Sequence, residues 1–433
     1  MLLITGFFLI QGFALFLSRQ AFESIDLYLE EISIFLLCIN SFFFVFVCGK
    51  KAKSKKEFMI LSLALMLRIC TLLWDVYARD IFVLPSAGID TESFHRFAVM
   101  FARGDEFSRG GVYFRIVGMI YRLFGVQRIN AQYFNVMMSM FSIFLVKKML
   151  EQLNLDKRIS NLALIMVAFL PNYVIMSSIL LRESIIIFLI TVSLYFFIKW
   201  WQNGYTINII FALIFPFLAA FFHSGSISPA IVYALIYIFY SPKDQKYKLT
   251  FKSVMTAVFL VGCFLIIELF FAEGLFRQFD RIKSIDDIVN VTVRGASGYL
   301  RWMEATGTIG MIVFSPIRMF YFIASPLPWY WRGFNDIFGF FASACFYLYC
   351  YYFLFRSLRK KHDFNYHLIS ALLIMALSTT FMFAWGVNNA GTAMRHRDKF
   401  ISIFVLAFAV CTNTLNNSKN KNKKGADANG NDK

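Results

Sequence analysis

Long apolar runs constrain this chain more than any other feature. Stretches at about 1–17, 31–47, 58–77, 131–146, 160–177, 184–200, 206–222, 226–241, 253–272, 335–355, 367–385 and 400–414 carry few charges. Most are near the length a helix needs to cross a bilayer core, about 20 residues. Composition agrees: the 433 residues are 59% hydrophobic and only 16% charged, against about 45–50% and about 25% in soluble domains. An ordinary soluble enzyme, a disordered chain and a disulfide-stapled secreted fold are excluded. The expectation is an all-α, polytopic integral membrane protein with about twelve transmembrane helices. Seven cysteines fall mostly within or beside the apolar runs and form no CxxC pair, so a zinc site or disulfide framework is not expected.

The net charge of +17 sits largely in short connections and the tail. Basic stretches occupy 49–56, 147–158, 243–252, 356–362 and the segment after Cys411. Lysine- and arginine-rich connections stay in the cytoplasm. Counting crossings from them places both termini inside and the loops at 18–30, 78–130, 178–183, 223–225, 273–333 and 386–399 outside. The N-terminal run lacks a basic leader and a cleavage site, so it reads as a first span. Residues 309–327 are apolar enough to cross, but a crossing there would turn 356–362 outward. Pro316, Pro326 and Pro328 interrupt the stretch, which reads as re-entrant or interfacial; a hidden thirteenth crossing elsewhere is the other solution. The membrane domain spans 1–414, and the Lys/Asn-rich tail 415–433 is expected to be disordered and cytoplasmic. No GxxxxGK[ST] motif signals an ATP-driven machine.

The remaining charges gather on the outer side. The first large loop carries Asp90, Glu92, His95 and Arg96, then Asp105, Glu106 and Arg109. Arg182 and Glu183 follow Ser177 and Ser178 at another outer turn, His223 sits beside Ser224, and the 386–399 loop holds Arg395, His396, Arg397, Asp398 and Lys399. The 273–333 loop adds Arg277, Asp280, Arg281, Arg294, Arg301 and Arg332, as a lid over a site or an interfacial helix. Charges at span ends are costly and mark functional sites. Arginine grips phosphate bidentately and keeps its proton. A nearby carboxylate can take the proton of an attacking hydroxyl. Together these describe transfer of a sugar from a polyprenyl-phosphate carrier.

Three patches carry a family likeness. GIDTESFHRFAVMFARG (88–104) fits D-x-x-x-[YF]-H; GGVYFRIVGMIYRLFGVQRINAQYFNVMMS reads as an amphipathic juxtamembrane helix followed by a span; GTAMRHRDKFISIF holds R-x-R before a late span. They resemble the GT-C superfamily of polytopic glycosyltransferases, which includes protein mannosyltransferases and aminoarabinose transferases. FLPNYVIMSSILLRESIIIFL also resembles bacterial surface-polysaccharide proteins, including Wzy-type polymerases. The resemblance implies a polyprenyl-linked sugar donor, a glycan or lipid-linked glycan acceptor, and a site facing outward from the bacterial inner membrane. It implies a role in building capsule, exopolysaccharide or O-antigen.

On that reading Asp90 is the general base and Glu92 the alternative, because the acids are separated by Thr91 where the family often has adjacent ones. His95, Arg182, Glu183, His223, Arg395, His396 and Arg397 are candidates for substrate binding. Each has a plainer role: Asp90 as a helix cap, Arg182–Glu183 as an interfacial ion pair, 395–397 as a headgroup anchor. Trp329, Tyr330 and Trp331 stack on sugar rings or belong to an interfacial aromatic belt. No metal is required; a divalent ion at Asp90, Glu92 and His95 needs the loop to curl. Two alternatives stay open, a Wzy-type repeat-unit polymerase and a lipid-linked sugar transporter or flippase. The latter calls for mid-membrane polar residues, of which Arg68 and Glu268 are the main examples.

Overall fold

A computed structural model describes residues 29–105, 111–248, 251, 254–255, 258, 262, 297–303, 307–359 and 365–430. The expected spans at 1–17 and, for the most part, 253–272 lie outside them, as do Glu106, Arg109, Glu268, Arg277, Asp280, Arg281 and Arg294. The chain divides into two compact units, one of residues 1–144 and 168–188, the other of 145–167 and 189–433.

The first unit opens with α1 (Leu29–Lys51), whose first turn holds Glu30 and Glu31 and whose last turn holds Lys50 and Lys51. That order of charge suits the helix dipole. Ser54 then caps α2 (Lys55–Tyr77) by accepting Glu57 N–H, while the Glu57 carboxylate reaches back to Lys53 N–H at 2.7 Å. This is a close variant of the capping box. Helices α3 (Ile89–Arg103) and α4 (Val112–Phe124) are short and amphipathic and pack on each other. Their approach is tight at Gly118, where a Cβ would lie 2.5 Å from the Phe101 ring and 3.0 Å from Ala98 O. Next come α5 (Arg128–Gln152) up to residue 144 and α7 (Pro171–Ser178), while the end of α5 and most of α6 (Lys157–Phe169) belong to the second unit. Proline at the start of α7 has no N–H to donate backward, and the helix breaks there.

The second unit holds most of α8 (Glu183–Asn203), then α9 (Thr206–Ala220) and α10 (Ser228–Phe239). It continues with α11 (Gly307–Ala324), α12 (Phe334–Gly339), α13 (Cys345–Leu358), α14 (Tyr366–Gly386), α15 (Ala390–Asp398) and α16 (Ile401–Gly430). A five-residue π-helical turn, Phe340–Ala344, joins α12 to α13. Helix α14 packs against α10, α11 and α16, and α16 against α13. Along α16 the face from Phe400 to Cys411 is buried throughout.

The fold is all-α and polytopic, as the apolar runs predict. Among the described residues six helices are long and apolar enough to cross a membrane, or up to eight if each of two bent pairs counts as one span. The runs at 206–222 and 226–241 fold as shorter apolar helices, Thr206–Ala220 and Ser224–Phe239. The Pro-interrupted stretch forms α11, an 18-residue helix with Pro316 inside it, and then leaves the helix before Pro326. Helix α16 bends by 65° from α15 and runs on past 414 to Gly430, into the polar tail.

Candidate functional site

The first unit contains a buried polar ladder on one face of α5. Arg128, Gln132, Asn135, Ser139 and Ser142 follow at spacings of four and three, which keeps them in register along a helix. Arg128 Nη2 donates to Glu92 Oε1 at 2.7 Å. Gln132 Nε2 donates to Asp75 Oδ2 at 2.7 Å. Asn135 Nδ2 serves Tyr113 Oη and the carbonyls of Ile179 and Leu181, each at 2.9 Å. Ser139 Oγ accepts from Arg68 Nε at 2.7 Å, and Arg68 Nη1 donates to Ala168 O at 2.8 Å. Most buried polar groups are bonded, and these bonds fix how the neighbouring helices seat.

At the head of the ladder Arg79 bridges several groups. It pairs with Glu92, and its Nη2 donates to Ala87 O at 2.6 Å and to Thr91 Oγ1 at 3.3 Å. Its Nε lies 3.9 Å from Asp75 Oδ1. Asp75 escaped the sequence reading because it lies inside an apolar run. Its side chain is fully enclosed, and Oδ1 has no hydrogen-bond partner among the described residues. The signal that could have found it is Asp75–Arg79, an i, i+4 pair of opposite charge closing a span.

Glu92 is half exposed. Burial works against its charge, but the hydrogen bonds and charges of Arg128 and Arg79 prevail and hold its pKa below the ordinary carboxylate value. His95 Nδ1 lies 2.8 Å from Tyr121 Oη. Partial burial, aided by the charge of Arg128 against that of Glu92, lowers its pKa and favours the neutral ring. Asp90 is exposed in the first turn of α3. Residues two apart on a helix diverge by about 200°, so Asp90 and Glu92 face different ways and are not a paired acid. The stretch 90–95 is helix, not a curled loop, and Asp90 is turned from Glu92 and His95. Among the described residues no group of three or more His, Cys, Asp or Glu could hold a metal ion.

Arg182 and Glu183 belong to the same unit. Leu181 and Ile179 pack with Ala87, just before Asp90, and Phe94 lies against that cluster. Arg182 is half-buried. Glu183 is 2% exposed, and its Oε2 has no hydrogen-bond partner among the described residues. Thus Asp90, Glu92, His95, Arg182 and Glu183 fall around one neighbourhood, together with Asp75, Arg79, Arg128, Gln132 and Asn135.

His223, Arg395, His396 and Arg397 gather in the second unit. The His223 ring stacks on Phe383 at 4.9 Å and meets the His396 ring edge-on at 4.5 Å. Arg395 is half-buried. Arg397 corrects the expectation of a phosphate clamp. It is 1% exposed, and Nη1 donates to Ile323 O at 2.8 Å and Ser325 O at 2.5 Å, with Nε on Ser343 Oγ at 2.8 Å. These are carbonyls at the C-terminal end of α11, where a helix leaves acceptors unmatched and the dipole favours a cation. Asp398 accepts from Tyr347 Oη at 2.7 Å and Ser343 Oγ at 3.2 Å.

Residues 110–240 match the family model described as dolichyl-phosphate-mannose-protein mannosyltransferase, less than a third of the chain. Comparison with curated proteins and with solved structures returns no match. The matched stretch takes in α4 to α10, with the ladder of α5 and Arg182–Glu183, while Asp90 and Glu92 precede it. Over that stretch the chain is similar to the mannosyltransferase family, which with the all-α polytopic fold supports a GT-C-type membrane glycosyltransferase.

Proposed function

We propose that this chain transfers a sugar from a polyprenyl-phosphate carrier to a glycan or lipid-linked glycan, at the outer face of a bacterial inner membrane. The product is a cell-surface polysaccharide such as capsule, exopolysaccharide or O-antigen. The observation that carries the reading is the family match over 110–240, which covers the elements that frame the charged cluster of the first unit.

Asp90 is the base. It is exposed in the first turn of α3. Glu92, gripped by Arg79 and Arg128, is a weak proton acceptor and orients α3. The acceptor hydroxyl gives its proton to Asp90, and its oxygen bonds to the anomeric carbon. The bond from that carbon to the phosphate oxygen breaks, and the electron pair leaves with the phosphate. Arg182, half-buried and permanently charged, balances the charge that grows there. Neutral His95 hydrogen-bonds a substrate hydroxyl.

The test is turnover of a radiolabelled polyprenyl-phosphate hexose by the purified full chain in lipid vesicles, followed as label entering a glycan acceptor. Transfer that survives in the wild type and falls about 10²–10⁴-fold in Asp90→Asn is expected for loss of a general base. Undiminished transfer in Asp90→Asn removes Asp90 from the mechanism and favours the repeat-unit polymerase. Release of intact carrier across the vesicle without transfer makes the chain a flippase.

A further inference from the structure

A cleft of about 220 Å³ opens in the second unit, beside the start of α15. Among the described residues it is lined by Ser297, Trp329, Tyr330, Trp331, Arg332, Asp336 and Ala390. Drug-sized ligands occupy roughly 300–1,000 Å³, so this cleft takes a single ring.

Its walls differ in kind. A 3-10 turn, Pro328–Tyr330, carries the aromatic wall, locked by Tyr330 N–H on Leu327 O at 2.8 Å. Trp331 is pinned by its Nε1–H on Pro326 O at 3.0 Å and by edge contacts with Phe340 and Phe341. Trp329 has the opposite standing: its indole is 65% exposed. A flat apolar face is therefore presented at little cost in freedom, since an aromatic side chain has few rotatable bonds.

The other wall is a coplanar polar pair. Arg332 Nε and Nη2 donate to the two oxygens of Asp336, each at 2.9 Å, and Arg332 N–H donates to the same carboxylate at 3.0 Å. A fork-on-fork pair of this kind is geometrically fixed. The floor is equally set: Ala390 N–H donates to Ser297 O at 3.0 Å, and Ser297 Oγ donates to Asn389 Oδ1 at 2.7 Å. The free edges of the pair, at the outer half of Arg332, remain 47% exposed.

A ligand that fills such a cleft is about one ring in size, apolar on one flat face and rich in hydroxyls around its edge. We infer that the cleft is a saccharide subsite that seats one pyranose, with Trp329 stacked on its C–H face and the Arg332–Asp336 pair at its hydroxyls. This does not rest on the transfer mechanism, because binding can be read without turnover.

The experiment is saturation-transfer NMR on the full chain in nanodiscs, titrated with methyl glycosides of glucose, galactose, mannose and N-acetylglucosamine. Variants Trp329→Ala and Trp329→Phe are compared with wild type, and brominated lipids report how deep residue 329 lies. Expected is saturation transfer to at least one glycoside, with affinity lowered about five- to tenfold in Trp329→Ala and largely kept in Trp329→Phe, which retains a flat aromatic face. Absence of transfer from wild type to every glycoside overturns the inference. Equal transfer in Trp329→Ala also overturns it. Strong quenching of Trp329 by brominated lipid without glycoside binding makes the turn part of an interfacial belt.

Discussion

Two buried arginines do the same work in different units, each bonded to backbone carbonyls. Arg68 donates to Ala168 O, beside the break before Pro171; Arg397 donates to Ile323 O and Ser325 O, beside the break before Pro326. Proline cannot close the preceding turn, so carbonyls at the broken end need another donor. Replacing Arg397 by Met leaves at least two carbonyls and Ser343 without this donor. At about 1–3 kcal/mol for each buried unsatisfied group, Arg397→Met should cost about 3–5 kcal/mol, seen as a large fall in melting temperature of the purified protein. Arg395→Gln, at a half-buried position, should leave melting nearly unchanged. The basic triplet was legible in sequence as an anomaly against the positive-inside bias. Its purpose was not, because the carbonyls of Ile323 and Ser325 that Arg397 serves lie more than seventy residues away. A second residue-scale expectation concerns acid. Glu92 has a depressed folded pKa, so its contribution is present above its ordinary value of 4.5 and is lost as pH falls through the folded value. His95 is depressed from 6.5, so below that pH the unfolded chain takes the proton first and stability again declines. Melting temperature should therefore fall on acidification in two stages. The lower stage should vanish in Glu92→Gln, and the upper in His95→Gln.

At the scale of elements, α5 organises the first unit, and a polar stripe runs along it beside its buried apolar residues. Its ladder reaches α3 at Arg128, α2 at Gln132 and Ser139, and both α4 and the break after α7 at Asn135. Gln132→Leu removes the sole direct donor to Asp75 Oδ2 among the described residues and leaves an enclosed carboxylate beside its unpartnered Oδ1. The cost of stranding a buried charge is about 3–5 kcal/mol. The double replacement Asp75→Asn with Gln132→Leu should recover much of that loss, since no charge is then buried, and chemical denaturation of the purified protein reads both. Helix positions were largely legible: the runs at 58–77 and 367–385 became Lys55–Tyr77 and Tyr366–Gly386. The ladder was not singled out, since Gln132, Asn135 and Ser139 are uncharged and sit in a run whose hydropathy alone signals a span. The cluster of charges at 90–95 was legible, whereas its helical form, which turns Asp90 and Glu92 different ways, follows from packing of α3 on α4.

For the whole molecule, the membrane topology is the property that the transfer reading depends on most, and it turns on α11. Its 18 residues carry an internal proline, and they measure about 27 Å at 1.5 Å per residue, close to but short of a full bilayer core of about 30 Å. If α11 crosses, parity reverses for everything after it: the basic 356–362 stretch moves outside and 386–399 moves inside. A lysine- and arginine-rich connection resists that, so α11 should enter and return or lie in the interface. Single cysteines placed at exposed Val83, exposed Lys53 and half-buried Thr392, in a chain freed of its seven native cysteines, measure the outcome directly. Intact cells treated with a membrane-impermeant maleimide should label Val83→Cys and Thr392→Cys, and should label Lys53→Cys only after permeabilisation. Labelling of Val83→Cys with protection of Thr392→Cys would make α11 a true crossing, against the contact of the His223 and His396 rings at 4.5 Å, which keeps those two loops on one face. Protection of Val83→Cys would place Asp90 in the cytoplasm, where a carrier-linked sugar displayed outside cannot reach it.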